Sequence, residues 1–283
     1  MRVASGPRRV KTPGMSAPPL NDAVALGLVV PCYNEAQRIK LHDFAHFLGS
    51  APSAGIIFVD DGSTDHTRDL VQSLVGRFDG RAVVITLPKN AGKAEAVRLG
   101  LLHARGSSAA VVGFWDADLA TPLTAVFDLL AVLETHAHVD WVLGSRVRVL
   151  GRDIERSALR HYLGRVFATA ASLTLAMPVY DTQCGAKLFR ATPELDAVLA
   201  EPFISHWIFD VEMIARFDAV RVLNGAPHAV TAIHEFPLAR WADAGASKVR
   251  VRHFFQALLD LARICHARNR AMAHARNSAR SRS

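Results

Sequence analysis

The sequence is poor in cysteine. Its 283 residues hold Cys32, Cys184 and Cys265, widely separated and odd in number, which excludes a disulfide framework and a cysteine-based zinc site and points to a reducing, cytoplasmic setting. No apolar run reaches the roughly 18 to 20 residues that span a bilayer, which excludes an integral membrane protein of the usual kind. A P-loop is missing too, because no Gly-Lys-Ser or Gly-Lys-Thr follows a glycine at the required spacing. Acids stop at Asp260, while Arg263, Arg268, Arg270, Arg276, Arg280 and Arg282 continue. With a formal net charge of +7, the chain favours anionic partners. Residues 1–21 carry Arg2, Arg8, Arg9 and Lys11 in a proline-containing polar stretch, which reads as a disordered tail and not as a signal peptide.

From there, strands and helices alternate. Val24 to Val30 reads as a strand closed by Pro31, with Cys32-Tyr33-Asn34-Glu35 free to meet a ligand. Gly55 to Val59 is a second strand, followed by Asp60-Asp61-Gly62-Ser63-Thr64-Asp65. Gly62 permits a tight turn and Ser63 or Thr64 caps a helix, but two adjacent acids at a strand end suit hydrogen bonds to a base or a ribose. Ala82 to Thr86 precedes Lys89-Asn90-Ala91-Gly92-Lys93, an anion site by geometry and dipole where it opens a helix.

Ala109 to Phe114 is a buried strand ending at Trp115-Asp116-Ala117-Asp118. Two acids two positions apart at a strand exit form a solvated turn or can converge on one hard cation, and a cation held by so few carboxylates keeps positions open for a diphosphate. An amphipathic helix follows over Leu119 to Leu133, then a strand over Val139 to Leu143 and Gly144-Ser145-Arg146. The alternation predicts an α/β fold, a doubly wound, mostly parallel sheet with ligands at the strand C-terminal ends.

In the second half, Tyr162 to Met177 is an apolar helix rimmed by Arg156, Arg160 and Arg165, too short to cross a bilayer and equally readable as core or as membrane contact. Asp181 to Phe189 is a polar loop, Asp210 and Glu212 open another helix, and His234 and Glu235 sit at a strand end as structural residues. Arg240 to Lys248 is a small-residue loop ending in a cation, ahead of a helix from Val251 with Phe254, Phe255, Leu258, Leu261 and Cys265 on one stripe. The basic end beyond it suits an anionic leaflet or simply solvent.

Taken together, Val-Pro-Cys-Tyr-Asn-Glu, Val-Asp-Asp-Gly-Ser-Thr-Asp, Lys-Asn-Ala-Gly-Lys-Ala-Glu-Ala, Asp-Ala-Asp and Gly-Ser-Arg resemble the inverting family 2 glycosyltransferases of GT-A fold. Asp181 to Phe189, Trp207 to Glu212 and Trp241 to Lys248 are similar to the dolichyl-phosphate glucosyltransferase group, with polyprenyl-phosphate mannosyltransferases as near relatives. The resemblance covers about residues 25 to 255. It implies that Pro31, Tyr33 and Glu35 line a nucleoside pocket, Asp60 and Asp61 read base and ribose, and Lys93 and Lys248 meet the diphosphate. Asp116 and Asp118 would hold Mg²⁺ or Mn²⁺. Arg146 and Arg160 would bind the acceptor phosphate, beside an acceptor loop containing Asp181, Gln183 and Lys187. Ala246 and Ala186 depart from the glycine and phenylalanine usual at those places, and residues 1–21 offer no membrane anchor of the kind eukaryotic members carry.

The implied reaction is transfer of a hexosyl group from a nucleotide-sugar, UDP-glucose favoured, to a polyprenyl phosphate with inversion. A phosphate acceptor is already ionised; a sugar hydroxyl would need a base, for which Asp210 is the candidate. A mannose donor and a non-catalytic binder of nucleotide-sugars or lipid phosphates stay open as alternatives, and nucleic acid is not an expected partner. The expected organisation is a disordered tail over 1–21, a GT-A domain over 22–260 and a basic helix end and tail over 261–283, peripheral at the cytoplasmic face of a membrane.

Overall fold

The computed structural model describes residues 17–155, 158–242 and 251–280. The elements run β1 (Leu26–Cys32), α1 (Leu41–Ser50), β2 (Ala54–Asp60), α2 (Thr67–Val75), β3 (Ala82–Thr86), α3 (Lys93–Arg105), β4 (Val111–Trp115), α4 (Ala125–Thr135) and β5 (Trp141–Ser145). They continue with β6 (Asp153–Glu155), α5 (Ala158–Leu175), β7 (Ala186–Arg190), α6 (Pro193–Leu199), α7 (Phe209–Leu223), β8 (Ile233–Pro237), β9 (Arg240–Ala242) and α8 (Val251–Arg280). Seven strands form a mostly parallel sheet in the order β3, β2, β1, β4, β7, β5, β8, and β6 pairs with β9 in a second, parallel ribbon. By internal contacts the chain divides into two units, one running to Leu119 with Phe189–Ala191 added, the other made of Ala120–Leu188 and the residues from Thr192 onward.

In the first unit β1 pairs in parallel with β2 and β4, and β2 with β3. Every residue of β2 is buried, as expected where helices cover both faces and the strand is a continuous apolar run. Helix α3 lies so close to the sheet that a Cβ on Gly100 would stand 2.3 Å from Val29 Cγ1. Glycine is needed there for the approach itself. Pro31 does not end β1 as expected: it pairs opposite Val59, and β1 runs to Cys32. Pairing of β1 with β4 stops at Val29, so Pro31 lies where the strand has one neighbour and its missing N–H costs no ladder bond. Residues 18 to 21, assigned from sequence to the tail, are held. Leu20 is buried, Asn21 N donates to Gly80 O at 2.9 Å and His103 meets Pro18 O at 3.0 Å.

In the second unit β5 and β8 are parallel partners, and Trp141 stacks on Phe217 of α7 with ring centroids 4.2 Å apart. Asp218, fully buried on α7, accepts from Ala229 N at 2.9 Å, from His228 Nδ1 at 3.0 Å and from Arg268 of α8 at 2.7 Å. Arg268 also donates to Thr174 O at 3.2 Å. Helix α8 is continuous through residue 260, with Leu261 and Ile264 buried. Helix α5 is core on one face, with Ala168, Ala171 and Leu175 buried, while Val166 and Leu173 are exposed.

Candidate active site

The loops after β1 and β2 are stitched together by the short polar residues of the second motif. Asn34 takes the left-handed conformation at φ 53°, donates its N–H to Ser63 Oγ at 3.1 Å and accepts from Thr64 N at 2.9 Å. Glu35 N donates to Thr67 Oγ1 at 2.8 Å, and Ala36 N to Asp65 Oδ2 at 3.2 Å. Tyr33 is left exposed beside this seam, and Glu35 is held by Arg38 at 2.5 Å. Gly62 at φ 66° passes the backbone of the next loop so closely that a Cβ would stand 2.6 Å from the Lys89 carbonyl carbon.

Asp60 and Asp61, which the resemblance assigns to base and ribose, are both engaged by the protein's own donors. Asp60 is buried, accepting from Ser63 N at 3.1 Å and Arg68 Nε at 3.0 Å. Asp61 grips the next loop in bidentate fashion, accepting from Ala91 N at 2.6 Å and Gly92 N at 2.9 Å. Burial pushes its carboxyl up, the two loop N–H groups oppose this, and the nearby Asp60 and Glu95 reinforce it. Arg68 is a partner the sequence reading missed; its position as the second residue of α2 gave no signal.

Beyond β4, Asp116 and Asp118 sit in a turn closed by Leu119 N donating to Asp116 O at 3.2 Å, with Leu119 at φ 52°. That turn explains why α4 starts at Ala125 and not at Leu119. The Asp116 carboxylate already holds a cation: Lys93 Nζ lies 2.5 Å from its Oδ1. Among the described residues no group of three or more His, Cys, Asp or Glu side chains is placed to hold a metal. What the chain offers is a pair of acids in one turn, one of them with a cation on it, and that donor set fits a hard divalent ion completed by ligand oxygens.

The remaining candidates lie in the second unit. Arg146, expected to meet a phosphate, is clamped by Asp181 through Nε at 2.7 Å, NH2 at 2.8 Å and its own backbone N–H at 3.0 Å, and it stacks over Trp241 at 5.4 Å. Burial alone raises the Asp181 carboxyl, but the Arg146 charge and hydrogen bonds outweigh it and hold Asp181 far below the usual carboxylate range. Glu235, inside β8 and structural as expected, fixes the segment by accepting from Tyr180 N at 2.7 Å and Asp181 N at 2.8 Å. Lys187 does not line an open acceptor loop. It is buried, donating to Cys184 O and to Asp210 Oδ1 at 2.6 Å. Asp210, the base candidate, is paired with Lys187 and has Gln183 Nε2 at 3.4 Å on its other oxygen. Lys248, like the rest of 243–250, lies outside the described residues, as does the Arg160 side chain, although Arg160 belongs to the first turn of α5.

A cavity of about 50 Å³ lies beside the clamp, lined among others by Arg146, Arg165, Tyr180, Asp181, Thr182 and Gln183. The Arg165 guanidinium stands 3.8 Å over the Tyr180 ring. Among the described residues the buried Thr182 hydroxyl has no hydrogen-bond partner, nor has that of Ser145 at the end of β5. Sequence reading passed over Thr182 and Tyr180, and saw Arg165 only as the rim of an apolar helix.

Residues 28–194 match the Glycosyl transferase family 2 domain. A dolichyl-phosphate beta-glucosyltransferase from Trichomonas vaginalis is 30% identical over 249 residues, covering 83% of this chain and 69% of that protein. The Dictyostelium discoideum dolichyl-phosphate beta-glucosyltransferase is 34% identical over 68% of this chain and 62% of its own. Among solved structures, glucosyl-3-phosphoglycerate synthase from Mycobacterium tuberculosis in complex with Mn²⁺ and UDP-glucose superposes with a TM-score of 0.59 at 17% identity, over 87% of this chain and 79% of that one, a likeness of fold. The chain belongs to glycosyl transferase family 2 and is a glycosyltransferase of GT-A fold.

Proposed function

We propose that this glycosyltransferase moves a glucosyl group from UDP-glucose to a polyprenyl phosphate of the dolichyl class, with inversion. The observation that carries the reading is the cation already seated on Asp116 by Lys93, since a diphosphate leaving group needs positive charge where its own charge develops. Mg²⁺ or Mn²⁺ held by Asp116 and Asp118 would neutralise charge on the departing diphosphate. Exposed Tyr33 offers a ring to the base, and the start of α3 at Lys93, with its dipole and ammonium, offers positive charge to the phosphates. Asp60 and Asp61 hold the two loops in shape.

On the acceptor side, Arg165 and the unpartnered Thr182 hydroxyl line a cavity sized for one small oxyanion. The commitment of Asp210 to Lys187 favours an acceptor that needs no base, and a phosphate monoester is already largely ionised at pH 7, with a second pKa of about 6. Radiolabelled UDP-glucose and GDP-mannose, each offered with polyprenyl phosphate and with free sugars, test the reading. Label is expected in the lipid phase from UDP-glucose with polyprenyl phosphate. Label confined to sugar acceptors would remove the lipid, and no transfer with any pair would favour a binding protein.

No helix among the described residues is long and apolar enough to cross a membrane. The solvent side of α8 instead carries Leu258 and Leu259 with Arg263 and Arg270, the last two beside exposed Ile204. Leu259 beside Arg263 and Arg270 on one helix face suits an anionic bilayer surface, at about 1 kcal/mol per basic residue. The double substitution Arg263→Glu and Arg270→Glu is expected to release the protein from phosphatidylserine vesicles in co-sedimentation. Equal sedimentation of wild type and variant would rule this face out.

A further inference from the structure

Resting on that reading, we infer that Lys93 is a resident counter-cation. It occupies Asp116 until a diphosphate arrives, so that divalent metal and nucleotide load together and metal alone binds weakly. The position of Lys93 is fixed by its neighbours. Gly92 at φ 93° precedes it, and the Gly92 and Ala91 N–H groups are locked onto the buried Asp61 carboxylate. From that anchored backbone the ammonium reaches Asp116 Oδ1 at 2.5 Å.

Lys93 is also electrostatically misplaced. It is the first residue of the 13-residue helix α3, where the helix dipole presents its positive end and disfavours an ammonium. Pairing with Asp116 offsets that repulsion. The same helix start attracts an oxyanion, so a diphosphate arriving there gives Lys93 a second anion to bind. Transferring the ammonium from carboxylate to phosphate keeps one charge-assisted bond while freeing the Asp116 oxygen for a divalent ion. Half-exposed partners make this exchange inexpensive: their side chains are 44% and 34% accessible, and such pairs shift equilibria only a few-fold.

Mn²⁺ binding, followed by the paramagnetic resonance signal of free ion with and without UDP, tests this in the wild type, Lys93→Met and Lys93→Arg, with melting temperature as the folding control. In Lys93→Met, Mn²⁺ alone is expected to bind about two- to five-fold tighter than in wild type. UDP affinity in the presence of Mn²⁺ should fall about ten-fold or more through loss of a charged hydrogen bond. Lys93→Arg should keep the weak metal-only binding. Metal-only affinity unchanged or weakened in a folded Lys93→Met would overturn the counter-cation role and leave the transferase reading intact. A wild type that fails to bind Mn²⁺ even with UDP would overturn both.

Discussion

Asp118→Ala is expected to lower kcat/KM for glucosyl transfer about a thousand-fold, with Asp116→Ala at least as damaging, while both variants stay folded. Electrostatic groups aimed at a developing charge typically account for about 10²- to 10³-fold each. Here two carboxylates in a four-residue turn after β4 are proposed to share one cation. The stability effect should be small. Both side chains lie on a loop and are half-buried, and the half-exposed Lys93 pair on Asp116 is worth at most about 1 kcal/mol. Melting temperature is therefore expected to move by only a few degrees. Steady-state rates over a Mn²⁺ titration make the check. Turnover within two-fold of wild type in a folded Asp118→Ala would refute the metal assignment, and recovery at high Mn²⁺ would show that affinity, not chemistry, was lost.

The strand ends were legible because they depend on local chemistry. Buried apolar runs closed by Asp-Asp-Gly, Asp-Ala-Asp and Gly-Ser-Arg give strand, turn and polar edge without knowledge of any distant residue, and β2, β4 and β5 end at those motifs. What stayed hidden was the choice of partner across long chain separations. Asp61 spends both oxygens on Ala91 and Gly92, 30 and 31 residues away. Lys187 and Asp210, read as an acceptor-loop cation and a general base, neutralise each other across 23 residues. A charged residue in a motif looks the same in sequence whether it faces a ligand or a second buried charge. Pro31 is a milder case: proline stops a ladder only where a neighbour would use its N–H, and β4 has stopped pairing by then.

The same hidden pairing predicts the largest stability effect. Asp181→Asn is expected to destabilise the fold by about 3 kcal/mol, because it leaves the Arg146 guanidinium in a buried setting without its counter-charge. Arg146 and Asp181 side chains are only 14% and 9% accessible, so solvent screens the pair little. For a chain of this size the loss corresponds to roughly 6 to 12 °C in melting temperature. The pH dependence follows from the depressed Asp181 carboxyl. A folded-state value below the unfolded one, about 3.9, means that the contribution is complete above the unfolded pKa. It drains away as pH falls below about 4 toward the lower folded value. Urea titrations of wild type and Asp181→Asn should therefore show a gap that is full at pH 7 and pH 5 and narrows in the acid limb. Arg146→Met tests the other partner, since it strands the Asp181 charge and should cost a similar amount at pH 7 with partial recovery as Asp181 protonates. A gap that stays constant down to pH 3 would mean that ionisation of Asp181 is not what holds Arg146 in place.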